Sequence, residues 1–87
     1  MYYIYFLLSL RNKKSYVGKT GKPPNERLTE HNSGSNVWTG QNGPFKLIYF
    51  EEYVCKEDAD KRELFYKTGI GRKIKKAIID CLIDNNI

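Results

Sequence analysis

The feature that most restricts the fold of this chain is an apolar run near its N-terminus, residues 2–10. The run is rich in aromatic and branched side chains, a composition that predicts a β-strand. It is too short to cross a bilayer, which takes about 20 apolar residues. It also has no basic segment before it and no small-residue cleavage site after it. We therefore expect a buried strand, and neither a membrane segment nor a signal peptide.

The residues that follow predict a hairpin and a helix. A polar turn at residues 11–14 leads into residues 15–20, whose composition favours a second strand. Pro23-Pro24 fits the first turn of a helix, where the backbone N–H groups have no partner in any case. The helix is predicted over about residues 25–32, and the glycine-rich segment 35–44 is predicted to be a loop.

The second half of the chain predicts one strand and two helices. Residues 45–53 are apolar at both alternating positions, which predicts a central strand that is covered on both faces. Helices are predicted over residues 56–67 and about 72–83, with a glycine break at residues 69–71 between them. The predicted fold class is α/β, of the α+β kind: a three-stranded, mainly antiparallel sheet flanked by helices, in the order β-β-α-β-α-α. We expect residues 1–87 to form a single domain, because a chain of this length has no room for a second core.

The net charge of +5 is unevenly distributed along the chain. Residues 1–50 contribute 7 − 2 = +5, residues 51–63 contribute 3 − 6 = −3, and the remainder contributes 5 − 2 = +3. A basic surface with an acidic segment inside it is typical of a protein that binds a polyanion around a carboxylate site. The alternative interpretation is a basic domain whose charge serves only solubility.

The two cysteines argue against a disulfide framework. Cys55 and Cys81 are not part of a C-x-x-C motif, and the chain has one histidine, which also disfavours a structural zinc site. We therefore expect reduced thiols and a cytoplasmic setting. Cys81 lies in the apolar stripe of the last predicted helix, so we expect its side chain to be packed.

Four motifs along the chain carry the functional prediction. They are Tyr3-Ile4-Tyr5 on the first strand, Tyr16-Val17-Gly18 on the second, Arg27 with His31-Asn32 on the first helix, and Glu63 on the second helix. In this order they resemble the GIY-YIG nuclease superfamily, most closely its small stand-alone bacterial members. These members are similar to the catalytic domain of the incision subunit of bacterial excision repair. The resemblance extends over residues 3–76.

The resemblance implies a catalytic role for five residues: Tyr5, Tyr16, Arg27, His31 and Glu63. Tyr16 matches the general base of the family, and Tyr5 matches a partner tyrosine that positions water or phosphate. Lys19 and Arg27 match residues that hold the scissile phosphate. His31 occupies a position that is histidine or tyrosine in the family.

The resemblance also implies a metal cofactor, Mg²⁺ or Mn²⁺, with Glu63 as its one carboxylate ligand. Mg²⁺ often takes one or two carboxylates and fills its other positions with water and phosphate oxygens, so a single ligand suits it. A phenol ionises near pH 10 in isolation. Tyr16 can therefore act as a base near neutral pH only beside cations such as Lys19 and a metal ion.

Six residues are predicted to contact nucleic acid: Lys19, Asn32, Lys67, Arg72, Lys73 and Lys76. The cations of the last helix crowd its N-terminal end, where they oppose the helix dipole but favour a bound phosphate. We hypothesise that residues 71–76 grip the nucleic-acid backbone. The alternative is that these charges serve solubility.

Each site residue also has a purely structural interpretation. Tyr5 and Tyr16 could be core residues, and Arg27 and Glu63 could form surface ion pairs with Glu30 and Lys67. His31 could be a charged histidine that interacts favourably with the dipole at the C-terminal end of its helix. Gly18-Lys19-Thr20 also resembles the end of a phosphate-binding P-loop, but that motif requires a glycine where this chain has Lys13.

The sequence departs from the family pattern at two positions. Tyr3 replaces a glycine of the first motif, and an asparagine that follows the metal-binding glutamate has no clear match.

The sequence thus predicts an enzyme, a metal-dependent endonuclease that hydrolyses DNA phosphodiester bonds in repair or recombination. Its contacts should be mainly with the DNA backbone and show little sequence specificity. One alternative is a nucleic-acid-binding module of the same fold with weak or no catalysis. Another is a small interaction domain that uses the aromatic side chains of Trp38 and Tyr49 on a protein surface. The oligomeric state is left open.

Overall fold

The structure, a computed structural model, describes residues 1–34 and 36–85. Its elements are β1 (Tyr2–Ser9), β2 (Ser15–Thr20), α1 (Pro24–Asn32), α2 (Val37–Asn42), β3 (Phe45–Tyr53), α3 (Lys56–Tyr66) and α4 (Gly69–Asp84). The three strands form one antiparallel sheet in the order β2-β1-β3. The predicted fold class is therefore confirmed, with one short helix added between α1 and β3.

The central strand of the sheet is β1, so the prediction that the third strand lies at the centre is wrong. Residues 4–8 of β1 are all buried, because β1 has a hydrogen-bonded neighbour on each side. By contrast, β3 is an edge strand, and its Phe50 side chain is 46% exposed.

A β-bulge explains why β3 is apolar at both alternating positions. Phe6 of β1 pairs with Tyr49, and the next residue, Leu7, pairs with Leu47, so Ile48 is an extra residue in the ladder. An extra residue shifts the alternation of side chains between the two faces of a sheet. The apolar residues on either side of the bulge therefore belong to different faces of an edge strand.

Helices cover both faces of the sheet. On one face, Ile4, Phe6 and Leu8 pack with three residues of α3 and α4: Ala59, Tyr66 and Ile79. On the other face, Tyr5, Leu7 and Phe45 pack with Tyr16 of β2 and Leu28 of α1. The two motif tyrosines thus lie on the α1 face of the sheet, whereas the helix that carries Glu63 crosses the opposite face.

The segment predicted as a loop over residues 35–44 contains the short helix α2, and residue 35 lies outside the described residues. The side chain of Asn36 caps α2 by accepting a hydrogen bond from the Thr39 N–H at 3.2 Å. The sequence prediction gave more weight to Gly40, Gly43 and Pro44. These residues do not prevent the short helix α2 from forming, because the Asn36 side chain accepts a hydrogen bond from a backbone N–H of its first turn.

Helix α4 begins at Gly69, three residues before the predicted start. Thr68 caps it, since its hydroxyl oxygen accepts a hydrogen bond from the Gly71 N–H at 3.0 Å. A Cβ at position 71 would overlap the carbonyl oxygen of Phe65, so glycine is needed for the close approach of α4 to α3. Within residues 1–34 and 36–85, no helix is long and apolar enough to cross a bilayer.

Cys81 is exposed, so the prediction that it is packed is wrong. Helix α4 contacts the core through Gly71 and Ile79, which rotates part of its apolar stripe toward solvent. Cys55 is exposed as well, and neither cysteine forms a disulfide.

Candidate active site

Three elements bring four of the five predicted catalytic residues into one cluster, and Glu63 lies close enough for its charge to raise the pKa of the two tyrosines. Tyr5 comes from β1, Tyr16 from β2, Arg27 and His31 from α1, and Glu63 from α3. The rings of Tyr5 and Tyr16 have centroids 6.3 Å apart, and each lies within 6 Å of the His31 ring. Arg27 and His31 are four residues apart on α1, so they share one face of the helix and point into the same cluster.

Tyr5 occupies the space left by a missing side chain. It lies directly opposite Gly18 in the β1–β2 pair, and a Cβ at position 18 would overlap the Tyr5 hydroxyl. The Tyr5 side chain is 1% exposed. Burial raises the pKa of Tyr5, and a hydrogen bond with Arg27 opposes the rise. Position 18 in the second motif is therefore a glycine for a steric reason, since any larger side chain there would overlap the Tyr5 ring of the first motif.

A hydrogen-bond chain fixes the orientation of the buried His31. The Tyr5 hydroxyl donates to His31 Nε2 at 2.8 Å, and His31 Nδ1 lies 2.9 Å from the Thr39 hydroxyl oxygen. Because the Thr39 hydroxyl donates to the Asn36 carbonyl at 3.2 Å, its oxygen accepts the proton carried by Nδ1. Burial lowers the pKa of His31, and the Arg27 charge lowers it further, so the imidazole is neutral at physiological pH. His31 positions Tyr5 and has no surface of its own for a substrate.

Arg27 connects the buried hydrogen bonds of Tyr5, His31 and Thr39 to the protein surface. Its Nη2 donates to His31 Nε2 at 3.2 Å, and its Nη1 donates to Glu30 Oε1 at 2.7 Å. Glu30 also accepts from Lys22 at 2.8 Å, and these hydrogen bonds lower the pKa of Glu30 to about 2. The Arg27–Glu30 pair that the sequence left open is therefore formed. The Arg27 side chain remains 26% exposed, which leaves part of the guanidinium available to a ligand.

Tyr16 is half-buried between two rings. Its ring centroid lies 4.9 Å from that of His31 and 5.9 Å from that of Trp38, with which it stacks at an interplanar angle of 27°. Burial raises the pKa of Tyr16; the Arg27 charge opposes this rise and the Glu63 carboxylate adds to it. The Tyr16 phenol is consequently protonated near neutral pH, and it becomes a base only if added positive charge lowers its pKa.

The Glu63 carboxylate is available for a ligand. It is partly exposed, and no side chain in the described part of the chain forms an ion pair with it. The Glu63–Lys67 pair considered as an alternative is thus not formed. Among the residues that the structure covers, no three His, Cys, Asp or Glu side chains cluster as metal ligands. A lone, partly exposed carboxylate suits Mg²⁺, which fills its other positions with water and phosphate oxygens, and does not suit tetrahedral zinc.

Three of the six residues predicted to contact nucleic acid have partners within the protein: Lys76, described below, and Lys19 and Asn32. Lys19 Nζ pairs with the Asp60 carboxylate, which also accepts from Lys56 at 3.3 Å. The Asn32 amide joins α1 to β3, since it donates to the Phe45 carbonyl at 3.1 Å and accepts from the Phe45 N–H at 2.8 Å. Neither contact was anticipated from the sequence, and a role in nucleic-acid binding stays a prediction for both residues.

Of the other four predicted contacts, Lys67 directly follows α3, and Arg72, Lys73 and Lys76 lie on α4. Lys67 and Arg72 line one cleft at the edge of β2, next to the cluster of tyrosines. Lys73 is exposed on α4, and Lys76 is paired with Asp80 at 2.7 Å on the same exposed helix surface. Contact with nucleic acid stays a prediction for these residues, but the structure divides them into a cleft pair and a surface pair.

Sequence reasoning missed two residues of this region, Thr39 and Asp60, and included Lys75 only as part of the segment 71–76. Asn36 three residues before Thr39 has the spacing of a helix cap, and this signal could have placed Thr39 in a structured turn. No local pattern links Asp60 to Lys19, because the two residues are 41 positions apart. Lys75 belongs to the basic cluster of α4, but only the fold shows that it enters the cleft.

Comparison with known proteins agrees with this geometry. The GIY-YIG catalytic domain matches residues 1–75, and the chain belongs to the GIY-YIG family. The family resemblance inferred from the motifs is therefore confirmed, and it supports a nuclease-type function in general. A UPF0213 protein from Clostridium perfringens (strain 13 / Type A) is 35% identical over 68 residues, which cover 77% of this chain and 71% of the relative. No solved structure matches the chain.

Proposed function

We propose that this protein is a metal-dependent endonuclease that hydrolyses DNA phosphodiester bonds, with a role in repair or recombination. One observation carries the proposal. The two motif tyrosines and Arg27 come together around His31, and the unpaired carboxylate of Glu63 lies close enough to raise the pKa of both tyrosines. The family supports a nuclease-type function, and the basic character of the chain suits DNA as the partner.

The reaction requires a water molecule to attack phosphorus while the bond from phosphorus to the leaving sugar oxygen breaks. In the proposed mechanism the attacking water transfers a proton to Tyr16, and the leaving oxygen takes a proton from solvent. Because Tyr5 donates its one O–H to His31, its oxygen would orient the attacking water by accepting a hydrogen bond from it, and it has no proton left for a phosphate oxygen. His31 and Thr39 hold the Tyr5 phenol in that direction, which is a positioning role.

Arg27 is the residue proposed to bind the scissile phosphate. A guanidinium can hold two phosphate oxygens at once, and such charge-assisted hydrogen bonds are about twice as strong as neutral ones. Its pairing with Glu30 fixes one edge of the guanidinium and keeps it directed toward the tyrosines. Lys19 lies on the same strand as Gly18 and would supply further positive charge, provided that Asp60 releases it.

Glu63 is the residue proposed to hold the metal ion, Mg²⁺ or Mn²⁺. A bound divalent cation would stabilise negative charge on the phosphate and lower the pKa of nearby acids. The free Tyr16 has a raised pKa, so the proposal requires this positive charge before Tyr16 can act as a base.

The test is a cleavage assay on supercoiled and branched DNA with Mg²⁺ or Mn²⁺, comparing the wild type with Glu63→Ala and Tyr16→Phe. The proposal predicts that each substitution slows cleavage by about 100-fold or more, the usual contribution of a general base. Glu57→Ala is the matched control, since Glu57 is an exposed carboxylate of the same helix. The wild-type rate should also rise with pH through the neutral range, as expected when a phenol must lose its proton. Full activity in Glu63→Ala would overturn the proposal.

The second candidate function is a nucleic-acid-binding module of the same fold that does not cleave. A specific observation favours it: both cations proposed for the scissile phosphate, Lys19 and Arg27, are already paired with carboxylates. If the wild type bound DNA but cleaved none of the substrates with either metal, this second function would be correct.

A further inference from the structure

A cleft of about 240 Å³ lies at the outer edge of β2 and is separate from the Arg27–His31 side of the cluster. Its lining combines aromatic and basic side chains: Ser15, Tyr16, Val17, Trp38, Tyr66, Lys67, Arg72 and Lys75. The catalytic mechanism proposed above uses only Tyr16 from this set. The cleft therefore raises the question of what its other residues bind.

The aromatic wall of the cleft is a firmly held indole next to Tyr16. Trp38 is 37% exposed, and it stacks on Tyr16 and packs at 5.8 Å between ring centroids against Phe45. The Trp38 carbonyl also accepts a hydrogen bond from the Asn42 side chain at 2.8 Å, within α2. An indole that is fixed in place and still partly exposed offers a stacking surface for a planar ligand at little conformational cost.

The cleft is also lined by three cations, Lys67, Arg72 and Lys75. No carboxylate pairs with Lys67, Arg72 or Lys75 in the part of the chain that the structure describes, whereas Lys19 and Lys76 are each paired. Burial lowers the pKa of Lys75, and the neighbouring Arg72 charge lowers it further. Like charges held this close to one another would be stabilised by an anion between them.

We propose that this cleft binds an unpaired nucleotide next to the scissile phosphate, with the base stacked on Trp38 and the adjoining phosphate held by Arg72 and Lys75. The inference rests on the proposed function and names its substrate class: DNA with a gap, flap or junction rather than fully paired duplex. Bases in a duplex have both faces covered by their neighbours, so an indole can stack only on a base outside the helix. Because Tyr16 forms part of both sites, the stacked nucleotide lies directly beside the reacting phosphate.

The chain has a built-in probe for this proposal, because Trp38 is its one tryptophan. Tryptophan fluorescence is titrated with a fully paired duplex and with a duplex of equal length that carries a short single-stranded gap. The experiment uses the Glu63→Ala variant without added metal, so that no DNA is cut and binding is measured apart from catalysis. The expected result is quenching by the gapped DNA and an affinity about tenfold higher than for the paired duplex, the effect of one stacked base.

Substitutions of Trp38 separate stacking from a structural effect on Tyr16. These variants contain no tryptophan, so their binding is measured by fluorescence anisotropy of labelled DNA. Trp38→Phe should keep a preference for gapped DNA, because the benzene ring still stacks, whereas Trp38→Ala should bind both DNAs equally. Fluorescence of the unsubstituted tryptophan gives an answer even if Trp38→Ala fails to fold. Equal affinities together with unchanged fluorescence would overturn the inference. Quenching without any cleavage by the wild type would instead overturn the endonuclease proposal and support this site in the binding module.

Discussion

At the scale of single residues, Gly18 determines where the Tyr5 phenol can lie. The two residues face each other across β1 and β2, and the phenol fills the space that a side chain at position 18 would occupy. From this position the hydroxyl reaches His31 Nε2 at 2.8 Å. A residue with no chemistry of its own thus controls the hydrogen bonding of the site.

Gly18→Ala is predicted to destabilise the protein by about 1–3 kcal/mol, the usual cost of forcing extra atoms into a packed region. It should also slow any cleavage, because Tyr5 must move away from His31. Urea denaturation and the cleavage assay measure the two effects. Gly21→Ala is the matched control, since the nearest atom to a Cβ there lies 3.8 Å away on Tyr2. Equal stabilities of the two variants would show that Tyr5 does not depend on Gly18.

Glu51 is a second residue with a large influence on the fold. It lies on the face of the sheet opposite the site. Its carboxylate accepts hydrogen bonds from Tyr49 at 2.9 Å, from Tyr53 at 2.6 Å and from Arg62 at 3.0 Å, and also from Tyr66. Burial alone would raise the pKa of Glu51, but these hydrogen bonds outweigh it and hold the pKa below its usual value. Since Arg62 and Tyr66 belong to α3, the cluster fixes the helix that carries Glu63 to β3.

Glu51→Gln is predicted to lower the free energy of unfolding by about 1–3 kcal/mol at pH 7, since the donors lose a charged acceptor. A carboxylate with a depressed pKa stabilises the fold above its unfolded pKa of about 4.3, and this contribution is lost as the pH falls through the folded pKa. The difference between wild type and variant should therefore shrink on acidification below that value. Urea denaturation from neutral to acidic pH measures it, with Glu52→Gln, a change at the exposed neighbouring residue, as the control. A difference that does not change with pH would contradict this account.

At the scale of the elements, the junction of α3 and α4 depends on two glycines with opposite roles. Gly71 is buried where α4 passes the Phe65 carbonyl, whereas a Cβ at Gly69 would meet no atom within 4 Å. Both glycines lie in the first turn of the same helix. Replacing each of these two glycines by alanine therefore separates the steric effect of the added methyl group from its effect on helix propensity.

Gly71→Ala is predicted to destabilise the protein by about 1–3 kcal/mol, because α4 must move away from the α3 backbone. Gly69→Ala should be neutral or stabilising by up to about 1 kcal/mol, the helix propensity gained over glycine. Thermal unfolding followed by circular dichroism measures both. Destabilisation by Gly69→Ala as large as that by Gly71→Ala would mean that close packing is not the reason for the glycine.

The elements that the sequence predicted well are those whose pattern is local. The hairpin, α1, α3 and the final helix follow from composition and period. The catalytic roles of the motif residues stay a prediction. The bulge at Ile48 and the central position of β1 depend on pairing between distant strands, which no local window contains. The same holds for the pairing of Lys19 with Asp60 and for the exposure of Cys81.

At the scale of the whole molecule, the net charge of +5 does not describe how the cations are distributed. Several basic residues are neutralised by nearby carboxylates, among them Lys22, Arg27 and Lys76. The cleft keeps Lys67 and Arg72 without such partners within residues 1–34 and 36–85. Local arrangement, more than total charge, should thus decide where a polyanion binds.

Removing the cleft pair, Lys67→Gln with Arg72→Gln, is predicted to reduce the salt dependence of DNA binding. Each lost phosphate contact lowers the slope of log K against log salt concentration by about 0.9 for duplex DNA. The matched control is Lys73→Gln with Lys76→Gln, which removes the same charge from the exposed surface of α4. Binding measured by fluorescence anisotropy at several salt concentrations gives both slopes. A larger change in the control pair would place the nucleic acid on the helix surface and not in the cleft.

The central position of β1 also affects how the protein is made. Of the three strands, β1 leaves the ribosome first and β3 last, and synthesis of the intervening residues 10–44 takes about 2–7 seconds at about 5–20 residues per second. During that time β1 can pair with β2, but its other edge has no partner, and unpaired apolar strands associate with other chains. We therefore expect the yield of folded protein to fall when translation of the segment between β1 and β3 is slowed.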